Sequence, residues 1–381
     1  MVEYRDEPVL RDGAVASPRD TDVDFKHPAG GPPPDGDGSW IRGCTITYEI
    51  DVSHGSAGGR RLLASPPCAS MRRLVTDPDT LTKEAANTPG LGRIFTPAGG
   101  SMSRSLPELA PKVFSVERDR AFDRRTPAGF IDLDSSDELD LDYPATTPLM
   151  LARYLILDPG VRFEHRLRAS GEIYHVLQGA GVSRNAGETI AWSVGDFFTF
   201  PGGETTVHTA DARVVLFLAT NEPELSFGGF DPPPRARART AAALYTTREV
   251  DDHLAGVLRQ SEATVTAEYV NLTTEAQLSM RTVLPSMVAG VNTLEPGAAQ
   301  RPHLHNAAAI TLGLQTEGVY SLVGGQRLDW APGLVMVTPP RMPHSHVNAG
   351  PRLMKSFVLQ DGGLYHHCRN SGFEFVETAA P

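Results

Sequence analysis

The sequence is poor in cysteine, and it has no long apolar run. Cys44, Cys68 and Cys368 are its only cysteines, and they lie far apart without a CxxC pair. Neither a disulfide framework nor a zinc knuckle is therefore predicted, and a reduced, cytoplasmic setting fits best. No segment approaches the roughly 18 apolar residues of a membrane-spanning helix, and the amino terminus lacks a basic region followed by an apolar core. We expect a protein that is neither secreted nor membrane-bound.

The sequence also lacks a concentrated basic region. It has 35 Lys and Arg residues against 46 Asp and Glu residues, which gives a formal net charge of −11. Binding to the phosphates of a nucleic acid needs a basic face, so we expect no nucleic-acid partner. The one dense basic run, from Arg235 to Arg239, is interpreted as the solvated charge of a linker.

An internal repeat organises most of the chain. The segment LDPG at 157–160 recurs as LEPG at 294–297, which is an offset of 137 residues. After one inserted residue, Trp192 matches Trp330 and the offset becomes 138. Each copy consists of short alternating strands, and the 31 Pro and 36 Gly residues favour many turns over a helical bundle. The predicted fold class is all-β, with two jelly-roll barrels in one chain and a few short helices.

The repeat and the composition together divide the chain into five segments. The Pro- and Gly-rich start cannot bury enough apolar surface to offset the entropy of its ordering. Between the copies, the apolar positions of TREVDDHLAGVLRQ suit one amphipathic helix. The predicted segments are a flexible arm at 1–38, an amino-terminal segment of uncertain structure at 39–127, a first barrel with a degenerate site at 128–222, a linker with a helix at 223–266, and a second barrel with a metal site at 267–381.

Three histidines of the second copy have the spacing of a metal site. His303 and His305 are separated by one residue, so both side chains point to the same face of a strand. His344 follows a strand-and-turn segment that would return it beside them on a neighbouring strand. Three neutral imidazoles that converge inside a small barrel suit iron, nickel, copper or zinc. The alternative is a set of buried or surface histidines without a metal.

These residues resemble the two motifs of the cupin superfamily. The run from Gly297 to His305 matches the start of the first motif, G(x)5HxH, and the run from Gly333 to Asn348 matches the Gly, Pro, His and Asn positions of the second. Within the superfamily, the chain is similar to the gentisate 1,2-dioxygenase family, which includes 1-hydroxy-2-naphthoate and salicylate dioxygenases. The segments that carry this similarity are PHLHNAAA (302–309), VGGQR (323–327), VTPPRMPHSHVN (337–348) and VLQDGGL (358–364).

The resemblance implies a role for four residues of the second copy. His303, His305 and His344 would bind Fe(II), and the usual cupin glutamate is absent, with Ala309 near its place. Arg327 would help to hold a substrate carboxylate, although it could also be an exposed charge of a hairpin. Two features depart from the family: the metal motif lies in the carboxy-terminal copy, and the segment from Arg341 to Pro343 replaces aromatic residues of the pocket wall.

The leading hypothesis for the function is a non-haem Fe(II)-dependent bicupin oxygenase. A three-histidine site leaves room for a small acid that chelates through hydroxyl and carboxylate groups, including an aromatic hydroxy acid, and for O2. His346, two residues beyond a ligand, is a candidate base for the substrate hydroxyl, with a hydrogen-bonding or solvent-facing histidine as the alternative. A homo-oligomer is also expected.

Two other functions remain open at this point. One is a non-oxidative lyase or isomerase that uses zinc, nickel or manganese as a Lewis acid. The other is a bicupin that binds a small molecule without catalysis, with a structural metal.

The first copy is expected to hold no cupin-type metal. An alignment without gaps places Arg166, Arg168 and Thr206 opposite the three histidines, and a guanidinium has no lone pair for a metal. The favoured interpretation is an internal ion-pair network of Arg166, Arg168 and Glu172. A shifted site that contains His165, Glu172, His175 and His208 is the alternative, and period-2 alternation would place His165 and His175 on the face opposite Glu172.

Overall fold

The computed structural model describes Ile94, residues 106–260 and residues 268–376. In this part of the chain, strands dominate and the α-helices are few and short. The predicted all-β fold with two barrels is confirmed here. The flexible arm predicted at 1–38 lies outside the described residues, as does most of the segment 39–127.

The first barrel consists of two antiparallel sheets. Its strands are β2 (Gly129–Asp132), β3 (Leu151–Leu157), β4 (Phe163–His165), β5 (Gly171–Gln178), β6 (Ala180–Asn185), β7 (Glu188–Ser193), β8 (Phe197–Pro201), β9 (Thr206–Thr209), β10 (Val214–Thr220) and β11 (Ala243–Tyr245). The strand order is β11-β8-β5-β10-β3-β2 in the larger sheet and β4-β9-β6-β7 in the smaller one. Alternating apolar residues and glycine turns such as Gly179 and Gly195, both with positive φ, favour these short strands.

The second barrel repeats this arrangement. Its sheets contain β1 (Lys112–Val113), β12 (Glu268–Leu272), β13 (Val288–Leu294), β14 (His303–His305), β15 (Ala309–Gln315), β16 (Val319–Val323), β17 (Gln326–Asp329), β18 (Val335–Thr338), β19 (His344–Asn348), β20 (Met354–Gln360) and β21 (Phe373–Phe375). The larger sheet has the order β1-β18-β15-β20-β13-β12, and the smaller one has the order β17-β16-β19-β14-β21.

The helices lie before, between and after the barrel strands. They are α1 (Ser115–Phe122), α2 (Ser136–Leu139), α3 (Glu222–Gly228), α4 (Thr247–Gln260) and α5 (Gly362–His367). The helix α4 covers the segment for which the sequence predicts an amphipathic helix, and it buries Val250 and Leu254. Among the described residues, no helix is long and apolar enough to cross a membrane.

The two larger sheets share one hydrophobic core. Tyr154 and Phe217 of the first barrel belong to the same buried cluster as Ile310 and Phe357 of the second, whereas Leu155 points into the first barrel. Strands β3 and β10 are buried at every residue because one face lines the barrel and the other packs between the barrels.

The interiors of the two barrels differ. The cluster inside the first barrel includes Tyr174, Trp192, Phe198 and Phe200, whereas that of the second contains only Leu294, Val319, Trp330, Met336 and Met354 among the buried residues described. The second barrel therefore has space for polar side chains and a cavity.

The predicted segment boundaries stay predictions, and two strands lie outside the predicted barrel ranges. The strand β1, which precedes the first barrel, pairs with β18 of the second. The strand β11, in the predicted linker, pairs with β8 of the first barrel.

Candidate metal centre

Two neighbouring strands bring three histidines together. His303 and His305 are the first and last residues of β14, and both are buried. The strand β19 begins with His344, which lies directly opposite His303. One ring nitrogen from each of the three residues lies within 4.8 Å of the other two. The convergence that the HxH spacing predicts is thus present, while metal binding by these residues stays a prediction.

Backbone carbonyl groups orient all three imidazoles. Each Nδ1 lies at hydrogen-bond distance from a neighbouring oxygen: His303 from Arg301 O at 3.0 Å, His305 from Ala307 O at 2.7 Å, and His344 from Met342 O at 2.8 Å. Because a carbonyl oxygen only accepts, each Nδ1 carries the proton and each Nε2 keeps its lone pair. Metal-binding histidines are typically held by such outer hydrogen bonds. The donor set therefore fits a borderline divalent ion such as iron or zinc.

Burial keeps these imidazoles neutral. It lowers the pKa of His303 and of His305 below the usual value. Burial lowers the pKa of His344 to about 2, and the neighbouring His303 and His305 add to the effect. Neutral imidazole is the form that binds a metal, so the site needs no deprotonation at neutral pH.

A cavity of about 340 Å³ opens at His303 and His305. The described residues that line it include no arginine, lysine or carboxylate. Its polar side chains besides the histidines are Tyr269, Asn271, Asn292, Gln300, Asn306, Gln360, Tyr365 and Ser371. The cavity can therefore hold a small polar molecule through uncharged hydrogen-bonding groups.

Gln360, at the end of β20, is a site residue that the sequence analysis missed. Its side-chain amide lies 3.2 Å from Nε2 of His305. The segment VLQDGGL contains it, but 55 residues separate it from His305. The pairing of β20 with β13 and β15 brings this amide to the cavity.

His346 is buried, and it is absent from the lining of the cavity. Its Nδ1 lies 2.8 Å from Ser321 Oγ, which also accepts a hydrogen bond from Trp330 Nε1 at 2.7 Å. The first barrel contains the same arrangement: His208 Nδ1 lies 2.6 Å from Ser183 Oγ, which accepts from Trp192 at 2.7 Å. The hydrogen-bonding alternative for His346 is thus present in the structure, and its role as a base stays a prediction.

Arg327 is not brought to the three histidines. Its side chain is 57% exposed and lies 2.8 Å from Asp329 in an ion pair. Its guanidinium also stacks over the ring of Tyr320, at 3.8 Å from the centroid. It is absent from the cavity lining, so contact with a substrate would require the side chain to leave both partners.

The strand register corrects the predicted correspondence between the two copies. His165 lies opposite Thr206, as His303 lies opposite His344. His165 therefore corresponds to His303, at an offset of 138 rather than 137. His165 follows Gly160 by five residues, whereas His303 follows the equivalent Gly297 by six. Glu172 then follows His165 by seven residues, whereas the equivalent Ala309 follows His303 by six. These compensating changes leave the offsets of the flanking strands unchanged, so an alignment without gaps conceals the shift.

The predicted ion-pair network inside the first barrel was wrong. Arg166 and Arg168 are exposed, with Arg166 donating to Gly203 O at 2.6 Å and Arg168 lying 3.6 Å from Asp231. Glu172 is fully buried and accepts hydrogen bonds from Tyr174 at 2.6 Å and Thr206 at 2.8 Å.

The strand alternation was also misjudged. His165 lies in β4 and Glu172 in β5, so a loop interrupts the alternation and both residues point into the barrel. His165 and His208 lie together there, with Nε2 atoms 3.1 Å apart. His175 lies on the other face of the sheet and stacks on Phe197.

The comparisons with known proteins agree with this architecture. The family model described as "Cupin domain" matches residues 290–359. No curated protein matches the sequence. A solved structure of salicylate 1,2-dioxygenase from Pseudaminobacter salicylatoxidans superposes with a TM-score of 0.61 at 16% identity, covering 72% of this chain and 91% of the other. A structure of the same enzyme in adducts with gentisate has a TM-score of 0.61 at 15% identity and covers 73% of this chain and 88% of the other. At this identity, the similarity establishes the fold.

Proposed function

Because this chain is a bicupin of the cupin superfamily that resembles the gentisate dioxygenases, we propose that it is an Fe(II)-dependent oxygenase of a small chelating acid. The observation that carries the proposal is the set of three buried histidines in which Nδ1 donates to a backbone carbonyl oxygen and Nε2 keeps the lone pair. No cupin glutamate completes the set, since Ala309 corresponds in register to Glu172 of the first barrel. Three protein ligands leave positions for other ligands.

His303, His305 and His344 would hold the iron. When bound, Fe(II) would bring a chelating acid and O2 together and stabilise the negative charge that develops during oxidation. The side chains around it bind and orient the acid. The uncharged amides of the cavity, including Gln360, donate hydrogen bonds to its oxygen atoms.

An aromatic hydroxy acid is the proposed substrate class. Its hydroxyl and carboxylate groups can both face the three-histidine centre, while its ring contacts Phe373 and Val358 of the cavity wall. The similar enzyme has been solved in adducts with gentisate, which supports this choice. We propose salicylate and gentisate as the first probes.

The role of Arg327 is proposed separately, because it needs a change in side-chain position. If Arg327 leaves Asp329 to hold a substrate carboxylate, Arg327→Ala raises KM by about tenfold or more, as expected for a charge-assisted hydrogen bond of about 1.5 to 3 kcal/mol. An unchanged KM would assign it to the surface ion pair alone.

His346 remains the proposed base for the substrate hydroxyl. The matching Ser183, His208 and Trp192 group supports a structural role common to both barrels. The variant His346→Gln separates these functions. Retained iron and a correctly folded chain with lowered kcat support the base, whereas loss of folding or unchanged kcat supports the structural role.

Oxygen uptake tests the proposal. Protein loaded anaerobically with Fe(II) is expected to consume O2 only when the acid is present. Turnover that is equally fast without O2 would favour the lyase or isomerase instead.

A further inference from the structure

A second group of metal-binding side chains lies inside the first barrel. His165 Nε2 is 3.1 Å from His208 Nε2 and 3.2 Å from the hydroxyl of Tyr174. The side chain of His165 is 5% exposed, and His208 and Tyr174 are fully buried. Three atoms with lone pairs therefore lie close together inside the barrel, beside the buried carboxylate of Glu172.

The separation of these atoms is that of ligands on a single ion. Zinc binds imidazole nitrogen at about 2.0 to 2.1 Å, so two ligands of a tetrahedral ion lie about 3.3 Å apart. The distances of 3.1 and 3.2 Å at His165 Nε2 agree with this spacing. A hydrogen bond between the two histidines accounts for the first distance. The phenol of Tyr174 donates its proton to Glu172, so its oxygen faces His165 Nε2 with lone pairs that a cation could use.

Two buried atoms at the edge of the group have no hydrogen-bond partner. They are His165 Nδ1 and Glu172 Oε1, which lie 3.9 Å apart. Buried polar atoms are rarely left without a partner, and unpaired ones often indicate a missing ion or water. A cation on Nε2 of His165 would fix the proton on Nδ1, which then faces the carboxylate of Glu172. Histidine ligands commonly have such a carboxylate partner.

The remaining contacts also suit a metal site. His208 Nδ1 is held by Ser183 Oγ at 2.6 Å, so its Nε2 is directed at His165. Tyr174 shares a hydrogen bond of 2.6 Å with Glu172 Oε2. When the phenol binds a cation and loses its proton, that carboxylate receives the proton, and the phenolate oxygen becomes the ligand. Charge and protons thus balance within the group.

We propose that His165, His208 and Tyr174 bind a borderline transition-metal ion, such as zinc, inside the first barrel. The site differs from the usual cupin site, because Leu167 and Thr206 occupy the positions that correspond to His305 and His344. Its ligands are almost fully buried, so the ion enters while the chain folds and has a structural role.

Zinc stoichiometry tests this site in the full-length chain. Protein is produced in medium supplemented with Zn²⁺, dialysed against a weak chelator and analysed for bound zinc. We expect two equivalents in the wild-type chain, one in His344→Ala, one in His208→Gln, and none in the double variant. His175→Gln, which changes another buried histidine of the first barrel, is the matched control and keeps both equivalents.

The outcomes separate this site from that of the second barrel. If the wild-type chain binds one equivalent of zinc, and this zinc is lost in His208→Gln but kept in His344→Ala, the result supports only the first-barrel site. No zinc in folded His344→Ala, or zinc that persists in the double variant, would overturn the proposal.

A further variant covers the case in which His208→Gln does not fold. Tyr174→Phe keeps the ring and removes only the phenol oxygen. The double variant Tyr174→Phe/His344→Ala is expected to lose zinc to EDTA at least about tenfold faster than His344→Ala alone. An equal rate in the two proteins would contradict ligation by Tyr174.

Discussion

His303 lies directly opposite His344 on the neighbouring antiparallel strand, with both imidazoles on the inner face of the second barrel. This pairing joins the two halves of the candidate centre, which lie about 40 residues apart in the chain. Both Nδ1 atoms donate to backbone carbonyl groups two residues earlier, Arg301 and Met342. The orientation of the ligands is therefore determined by the local backbone and needs no other side chain.

Gln360 is expected to affect substrate binding more than metal binding. Its amide faces the cavity beside His305, and a neutral hydrogen bond contributes about 0.5 to 1.5 kcal/mol. Gln360→Leu should therefore raise KM for the acid up to about tenfold while bound iron stays unchanged. Steady-state oxygen uptake and iron analysis measure the two effects.

The matched control for this variant is Gln326→Leu, which changes an exposed glutamine of β17. It should leave KM and iron unchanged. Loss of iron in Gln360→Leu, or an equal rise in KM in both variants, would contradict the assigned position of Gln360.

Tyr154 is expected to contribute to the joining of the two barrels. Its buried hydroxyl donates to Gly333 O at 2.6 Å, from the first barrel to a turn of the second. Tyr154→Phe leaves that carbonyl without its partner and should lower the free energy of unfolding by about 1 to 3 kcal/mol. Denaturation in urea measures the change. Tyr320→Phe, on the partly exposed side of β16, serves as a control and should change the free energy of unfolding little. Equal stability of Tyr154→Phe and the wild type would refute the prediction.

Asp361 is expected to make stability depend on pH. Burial raises its pKa to about 7, with Glu224 adding to the effect, although the hydrogen bond from Ala308 N–H opposes it. Below about pH 4 the carboxyl group is protonated in both the folded and the unfolded chain, so it does not lower the free energy of unfolding. As pH rises towards 7, the unfolded chain loses this proton while the folded chain keeps it, so stability falls.

Asp361→Asn keeps the acceptor for Ala308 N–H and removes the titration. Each pKa unit corresponds to about 1.4 kcal/mol. Between pH 4 and pH 8, the free energy of unfolding of the variant should therefore rise by up to about 4 kcal/mol relative to that of the wild type. Urea unfolding of chelator-treated protein measures this difference, with the exposed Asp329→Asn as control. A stability difference that does not vary with pH would rule out the raised pKa.

The sequence predicted the second barrel better than the first. An HxH pair on one strand and a third histidine after a turn suffice to predict convergence, because alternation applies within each strand. The same rule failed for His165 and Glu172, since the loop after β4 interrupts the alternation. Gln360 could not be assigned from spacing alone, because sheet order, rather than distance along the chain, brings it to His305.

The most direct test of the oxygenase proposal is oxygen uptake by Fe(II)-loaded protein with salicylate or gentisate, compared between the wild type, His344→Ala and His253→Ala. His253 is an exposed histidine of α4 that belongs neither to the cavity lining nor to the three-histidine group, so its variant should keep the iron of this site. We expect O2 consumption by the wild type and by His253→Ala, and neither uptake nor iron at this site in His344→Ala. Uptake at the wild-type rate by His344→Ala would contradict the proposal, as would iron-loaded wild-type protein that consumes no O2 with either acid.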